Sequence, residues 1–297
     1  MADIVSRGTD FPHELLTEMI NGVRGKSTLA RLSARKPMAF SGTDAFVFTL
    51  DKEVDIVAEN GAKTKGGATI TPVTMVPIKF EYGTRVSDEF VYCSEEKRME
   101  YLRTFLEGYA AKMARGMDIA AMHGFNPRTG TASQVVGNKN FDAQIINANK
   151  ITATSNPDTD IEGAVAKVIG AEHEVTGVAV APAEAAALAA LTVNGVKQYP
   201  ELAWGGNPEQ LNGKQFDVNS TVSANSSGVL AYVGNFRDFF YWGYADEIKF
   251  EVIEYGNPDN DATLGDLKGH NQVYLRAEMY VGWGILEPNA FAAVVSA

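Results

Sequence analysis

"SEEKRMEYLRTFLEGYAAKMARGMDIAAMHG", residues 94–124, is the longest periodic stretch of the chain, and the reading of the fold turns on it. Met99, Leu102, Phe105, Leu106, Tyr109, Met113, Met117, Ala120 and Ala121 recur at spacings of three and four, the pattern of a helix with one apolar face. Ser94 stands where a capping residue belongs, and Glu95 and Glu96 suit the positive end of the helix dipole. Gly124 and Pro127 stop the run. At 1.5 Å per residue the helix is about 45 Å long, well above the usual length. Gly108 and Gly116, on one side of it, leave room for a close neighbour.

Upstream, the period changes. Phe46, Phe48 and Leu50 alternate, and so do Val76, Ile78, Phe80 and Tyr82, which predicts strands. Between them "AENGAKTKGGAT" holds Asn-Gly and Gly-Gly turn signals, so the two limbs form a long hairpin over 44–82. Pro72 and Pro77 in the returning limb fit a projecting ribbon better than a central sheet. Such a ribbon is marginal alone and has to lean on something else.

Residues 1–40 read as an arm: a short amphipathic helix around Pro12–Ile20, a turn, the apolar run "LARL" and Pro37, too little to form a core. Inside it "NGVRGKST", residues 21–28, imitates the close of a phosphate-binding loop. That loop needs glycine five residues before Gly25, where Ile20 stands, and it must follow a strand, whereas "ELLTEMI" has helical spacing. A plain solvated turn is the expectation.

Downstream of 158 the grammar is α/β. Thr159 and Glu162 make a capping box for a helix lined by Ile161, Ala164, Val165, Val168 and Ile169. "TGVAVAP" is a short buried strand, and Pro182 opens the helix "AEAAALAAL". "GKQFDVNSTV", "GVLAYVGNF" and "DEIKFEVIEY" read as strands, and 256–270 as a polar loop. At the finish, Val273, Leu275, Ala277, Met279, Val281 and Trp283 share one strand face.

Composition bounds the function. The 297 residues are 45% hydrophobic and 21% charged, an ordinary globular balance. No run approaches about 18 apolar residues, so no membrane partner is expected. The single cysteine, Cys93, excludes an internal disulfide. A net charge of −11 argues against a surface built to grip nucleic acid. The arm is basic (Arg7, Arg24, Lys26, Arg31, Arg35, Lys36), and the segment from Asp246 is acidic, which suits either head-to-tail association or two solvated surfaces.

The catalytic inventory is thin. His13, His123, His173 and His270 lack ligand-spaced partners, and "EHE" at 172–174 reads as solvated charge. Asp259 and Asp261 begin a calcium-loop pattern, but Leu264 occupies its glycine position. There is no G-x-S-x-G, and Cys93 has no evident activating base. "FRDFFYWGY", Phe236–Tyr244, is rich enough in aromatics for a strand core or a subunit contact. A chain of this size with so little chemistry is more plausibly structural.

The order of parts resembles the major capsid proteins of tailed bacteriophages, of the Hong Kong 97 type. "ELLTEMINGVRGKSTLARLSARKPM" looks like that family's N-terminal arm with its closing Pro37-Met38, and "VAENGAKTKGG" like the tip of its extended loop, with Glu59 in the acidic place. "VSDEF" (Val86–Phe90) is similar to the segment leading into the spine helix, and Asp118, Ala120 and Gly124 to its end. "LNGKQFDV" and "VGNF" echo the axial domain, with Asn235 departing from an aspartate, and "YLRAEMYVGWGILEPNAF" resembles the last peripheral strand.

The resemblance implies an α+β fold: N-terminal arm over 1–40, extended hairpin over 41–85, a peripheral domain with the spine helix over 86–155, an axial α/β domain over 156–254, and a return to the peripheral sheet over 255–297. It implies a non-enzymatic virion protein, assembled in a host cytoplasm, that self-assembles as hexamers and pentamers around DNA held without sequence-specific contacts. It implies no cofactor. A portal, a decoration protein and, if Met1 is the translated start, a separate scaffolding protein are the further partners. Phe11, Leu15, Glu59, Lys63, Lys65, Phe80 and Trp204 are the expected intersubunit positions. Some relatives link a hairpin lysine to a neighbour's asparagine. No such asparagine stands out here, and Lys63 and Lys65 are expected to be solvated. The alternatives are an encapsulin-type compartment of the same fold and a cytoplasmic α/β enzyme.

Overall fold

The computed structural model describes residues 22, 26–245 and 249–297. Phe11 and Leu15, and the helix expected around Pro12–Ile20, lie outside the described residues. In chain order the principal elements are α1 (Thr28–Leu32), β1 (Thr43–Leu50), β2 (Ala68–Met75), β3 (Ile78–Ser87) and α2 (Glu95–His123). There follow β4 (Lys150–Thr152), α3 (Pro157–Gly170), β5 (Gly177–Val180), α4 (Pro182–Ala190), β6 (Gln210–Leu211) and β7 (Lys214–Val218). The rest are β8 (Val229–Gly234), β9 (Phe240–Tyr244), β10 (Lys249–Ile253), β11 (Gln272–Ile285) and β12 (Phe291–Val295).

The alternation in β11 organises a four-stranded sheet. Its six apolar residues Val273 to Trp283 are all buried, and the strand is central. β3 runs along one edge, from Ile78↔Val281 to Ser87↔Gln272. The other edge is shared end to end: β9 covers Val281–Ile285, and β10 covers Tyr274–Glu278. Leu102, Leu106, Tyr109 and Met113 of α2 enter the same core, so the helix is held by one face along this sheet.

The second sheet has the order β4-β12-β8-β5-β7-β6. Ala164 and Val168 of α3 and Leu188 of α4 pack with Phe216 and Val233 of this sheet in a core of their own. Towards its C-terminus α2 runs into the joint: Met117 to Met122 are buried on every side, in a cluster that takes Ala179, Tyr232 and Phe291 from one sheet and Val281 and Trp283 from the other. Gly124 ends the helix there in the left-handed conformation (φ 72°), its N–H donating to the Ala120 carbonyl.

Several expectations need correction. The returning hairpin limb stops at Met75: β1 and β2 pair from Thr43↔Met75 to Leu50↔Ala68, while Ile78–Ser87 belongs to β11. Pro77 makes the break, because it has no N–H to continue the ladder. Phe240–Tyr244 and Lys249–Ile253, expected in the axial segment 156–254, join the four-stranded sheet. Lys150–Thr152 and Phe291–Val295, expected in the peripheral segments, lie side by side in the six-stranded one. α3 starts earlier than its expected capping box: Asn156 caps it by accepting from the Asp158 N–H with Pro157 in the first turn, and Thr159 lies inside the helix. Ser94 precedes α2 without a side-chain cap bond. "FRDFFYWGY" is core, with Phe236, Phe240 and Trp242 buried, though it starts as a helical turn rather than a strand.

The largest correction concerns the arm. Lys26–Met38 does not wait for a neighbour. Leu29, Ala30 and Leu32 are buried in the subunit's main core, and Ser27 and Thr28, expected in a solvated turn, are instead a buried helix start.

Candidate intersubunit surface

Ser27 is the cap of α1, and two carboxylates from far along the chain, Asp118 and Asp217, hold this buried helix start. Its hydroxyl accepts from the Ala30 N–H at 3.1 Å and donates to Asp118 of α2 at 2.6 Å. The same carboxylate accepts from the Thr28 and Leu29 N–H groups, at 2.8 and 3.3 Å, and from the Thr221 hydroxyl at 3.2 Å. Two otherwise orphaned donors at a helix start are thereby paired with an anion. Thr28 donates its hydroxyl to Asp217 of β7 at 2.5 Å, and Arg31 closes on that carboxylate at 2.6 Å. Burial pushes the Asp118 carboxyl up to about 6, and the four hydrogen bonds only partly offset it.

Beyond α1 the arm lies against glycines. The Lys36 N–H donates to the Trp242 carbonyl at 2.9 Å. A Cβ on Gly243 would sit 2.1 Å from the Lys36 carbonyl oxygen, and one on Gly282 would sit 2.4 Å from the Met38 sulfur. Gly284 does the same for the hairpin base, where a Cβ would meet Met75 at 2.6 Å. One trough across β9 and β11 therefore seats both the end of the arm and the root of the hairpin.

From that root the hairpin runs for eight paired residues, about 27 Å. Directly opposed residues of an antiparallel pair share a face. One face therefore carries Phe46–Pro72, Phe48–Ile70 and Leu50–Ala68, three successive apolar pairs. All six residues are exposed, Phe46 to 68% and Ile70 to 61%. Asp51 closes the ladder, accepting from the Gly67 N–H at 2.7 Å, and the loop beyond bares Val54 and Ile56 almost completely. A contiguous apolar face of this kind on a single subunit marks an interaction site.

Glu59, Lys63 and Lys65 sit in this loop, all exposed. Trp204 is fully exposed elsewhere, on the segment after α4. Phe80 departs from expectation: it is partly buried within the subunit, between Gly116 of α2 and the Trp283 ring, 6.3 Å away. Sequence reading missed the Ser27–Asp118 and Thr28–Asp217 contacts. The one signal for them was Asp118, an acid inside an otherwise apolar helix end.

The candidate chemical groups are structural. His123 places Nε2 2.9 Å from the Thr221 carbonyl, to which it must donate, and Nδ1 2.7 Å from Asp142. Both ring nitrogens are engaged, and the neighbouring Tyr232 hydroxyl, 3.3 Å from Nδ1, donates to Asp142 and is held protonated by burial. The calcium-like loop is closed by a guanidinium: Arg85 donates to Asp259 at 2.5 and 2.8 Å, to Asn257 at 2.8 Å and to the Gly265 carbonyl at 2.9 Å. That pairing draws the Asp259 carboxyl down to about 2. Among the described residues no group of three or more His, Cys, Asp or Glu could hold a metal, and no helix is long and apolar enough to cross a membrane.

Comparison with known families matches the phage capsid family over residues 11–296. A solved structure from Mycobacterium phage Ogopogo is 31% identical, covers 92% of each chain and superposes with a TM-score of 0.75. One from Gordonia phage Cozz is 23% identical, with 92% and 87% covered and a TM-score of 0.74. The capsid of a native GTA particle, computed with C5 symmetry, shares the fold at 13% identity, 91% and 90% coverage and a TM-score of 0.64. No curated protein matches the chain. With nearly its whole length matched, this chain belongs to the phage capsid family, as a structural shell protein of the virion.

Proposed function

We propose that copies of this chain form hexamers and pentamers that close an icosahedral head around double-stranded DNA. The observation that carries this reading is the hairpin's bare ladder of Phe46, Phe48, Leu50, Ile70, Pro72 and Ala68, which a lone subunit leaves in water. Laid across a sister copy, that face is buried, and each fully covered Phe, Leu or Ile contributes about 1.5–3 kcal/mol. The contact is heterologous, so a rotation that closes gives a ring, and rings of two sizes can close a shell. Glu59, Lys63 and Lys65 supply polar contacts at the hairpin tip. The net charge of −11 suits a container that holds DNA without gripping it. A portal, a decoration protein and a scaffolding function are the partners such a shell calls for.

Electron microscopy of the expressed protein tests the reading. Closed particles with six- and five-fold clusters are expected. A monodisperse monomer at every concentration and salt condition overturns it.

A further inference from the structure

Trp204 stands fully exposed, and it is not among the residues that line the apolar groove beside α3. The tryptophan is fully solvated, and its backbone is held in the left-handed region, φ 60°. An aromatic residue is rarely found there, and it persists only where the surroundings enforce it. Here they do. Leu202 is buried as the root of the loop, Gly205 has φ 79°, and a Cβ on Gly206 would lie 2.0 Å from the Glu201 carbonyl oxygen. The turn leaves the indole in water. Val193 and Val196, on the short hairpin before it, are exposed as well.

The groove, of about 280 Å³, lies between α3 and the β6–β7 hairpin. The inner stripe of α3, Ala164 and Val168, is buried against the sheet, whereas Ile161, Val165 and Ile169 line the groove instead. Ile169 is 60% exposed. Phe216 and Leu188 also line the cavity, and Glu162 and Glu174 stand at its margin. The lining is mostly apolar, and the volume has room for a single large side chain. It suits one large side chain with an N–H donor for a carboxylate at the rim, and an indole is such a group.

We propose that in a ring of subunits Trp204 of each copy seats in the α3/β6–β7 groove of the next. The occupant is a second copy because this chain is a shell subunit, each copy carries the indole and the groove, and Trp204 is fully exposed among the described residues and does not line its own groove. A head-to-tail contact of this kind is satisfied all the way round only when the ring closes. This rests on the shell reading above and assigns it a specific contact.

The test uses assembled full-length particles in a Cys93→Ala background. Trp204→Cys combined with Ile169→Cys, treated with a short bismaleimide, is expected to give a denaturing-gel ladder from dimer up to closed rings, and each single variant no ladder. The emission of Trp204, obtained by subtracting the Trp204→Phe spectrum from wild type, is expected to shift to the blue on assembly. Trp242 and Trp283 are buried in the subunit and contribute little to that difference. If shells form but no ladder appears and the Trp204 emission stays that of a solvated indole, this contact is overturned while the shell reading stands. If wild type never assembles, the shell reading falls and the contact with it.

Discussion

In the arm, Ser27, Thr28, Leu29 and Leu32 are exposed to 2% or less, whereas in the hairpin Phe46, Phe48 and Leu50 are exposed above 60%. Both segments project by sequence, and both are seated in the same glycine trough. The arm after Lys26 is fastened by polar groups: two buried carboxylates take up hydroxyls, backbone N–H groups and a guanidinium. Hydrogen bonds are directional, so this fastening fixes where the arm leaves the body. The paired limbs of the hairpin present a ladder of apolar area on one face, and apolar burial is non-directional and tolerant of small shifts in a partner. A shell subunit thus has one extension whose position is set internally and one whose resting place is left to its neighbours.

The largest effect is expected at Asp118. In Asp118→Ala, the Ser27 and Thr221 hydroxyls and two backbone N–H groups lose their buried acceptor, and the loss is about 4 kcal/mol at pH 4. The pH dependence is distinctive. The folded-state pKa of about 6 lies above the ordinary aspartate value of 3.8, so between these values the folded subunit holds a proton that the unfolded chain has released. Stability from this group is therefore complete below about pH 4 and falls by about 3 kcal/mol as pH rises through 6. The gap between wild type and Asp118→Ala should close to about 1 kcal/mol at pH 7. Asp259, held down to about 2 by Arg85, acts in the opposite sense and only at lower pH, and it is present in both proteins. Urea unfolding of unassembled subunits from pH 4 to 7 measures the gap. A gap that does not change with pH means that Asp118 stays ionised throughout.

The arm's fastening also shows where sequence reading ran out. The long helix and the final strand were legible because their apolar residues repeat with one period over 29 and 14 residues. Ser27 and Asp118 are 91 positions apart, and Thr28 and Asp217 are 189 apart. A short polar turn reads as solvated unless its distant partner is known. β3 was read as a hairpin limb because alternation runs on past Pro77. Only the pairing with β11 separates them. The exposed hairpin face, by contrast, was legible from composition, since alternating aromatics beside turn signals announce a ribbon before anything says what covers it.

A middle-sized effect is expected in the shared trough. In Gly243→Ala the new methyl meets main chain, the Lys36 carbonyl, which can move only if the arm moves. Overpacking of this kind costs about 2 kcal/mol. In Gly282→Ala its closest neighbour is the Met38 thioether, a flexible group that can rotate aside, with the Pro77 Cα at 3.3 Å, and the cost should be smaller. Hydrogen exchange at the Lys36 amide, bonded to the Trp242 carbonyl, reads the difference. Faster exchange in Gly243→Ala alone is the expected pattern, and equal protection in both variants would mean that the arm is not seated there.

The smallest expected effect, in the subunit, is the most telling one. Phe46→Ser with Phe48→Ser removes two large side chains that are already solvated, so the unassembled subunit should change by less than about 0.5 kcal/mol. Removing two phenylalanines from a core would cost several times that. The same double variant should fail to form particles, because each copy loses the apolar area its hairpin would bury on a neighbour. Urea midpoint and sedimentation, measured on one preparation, separate the two. A midpoint drop comparable to a core substitution would show the hairpin packing on its own subunit. Particles that still form would show its apolar face to be dispensable. Unchanged stability with lost assembly leaves a sister copy as the surface those side chains were built for.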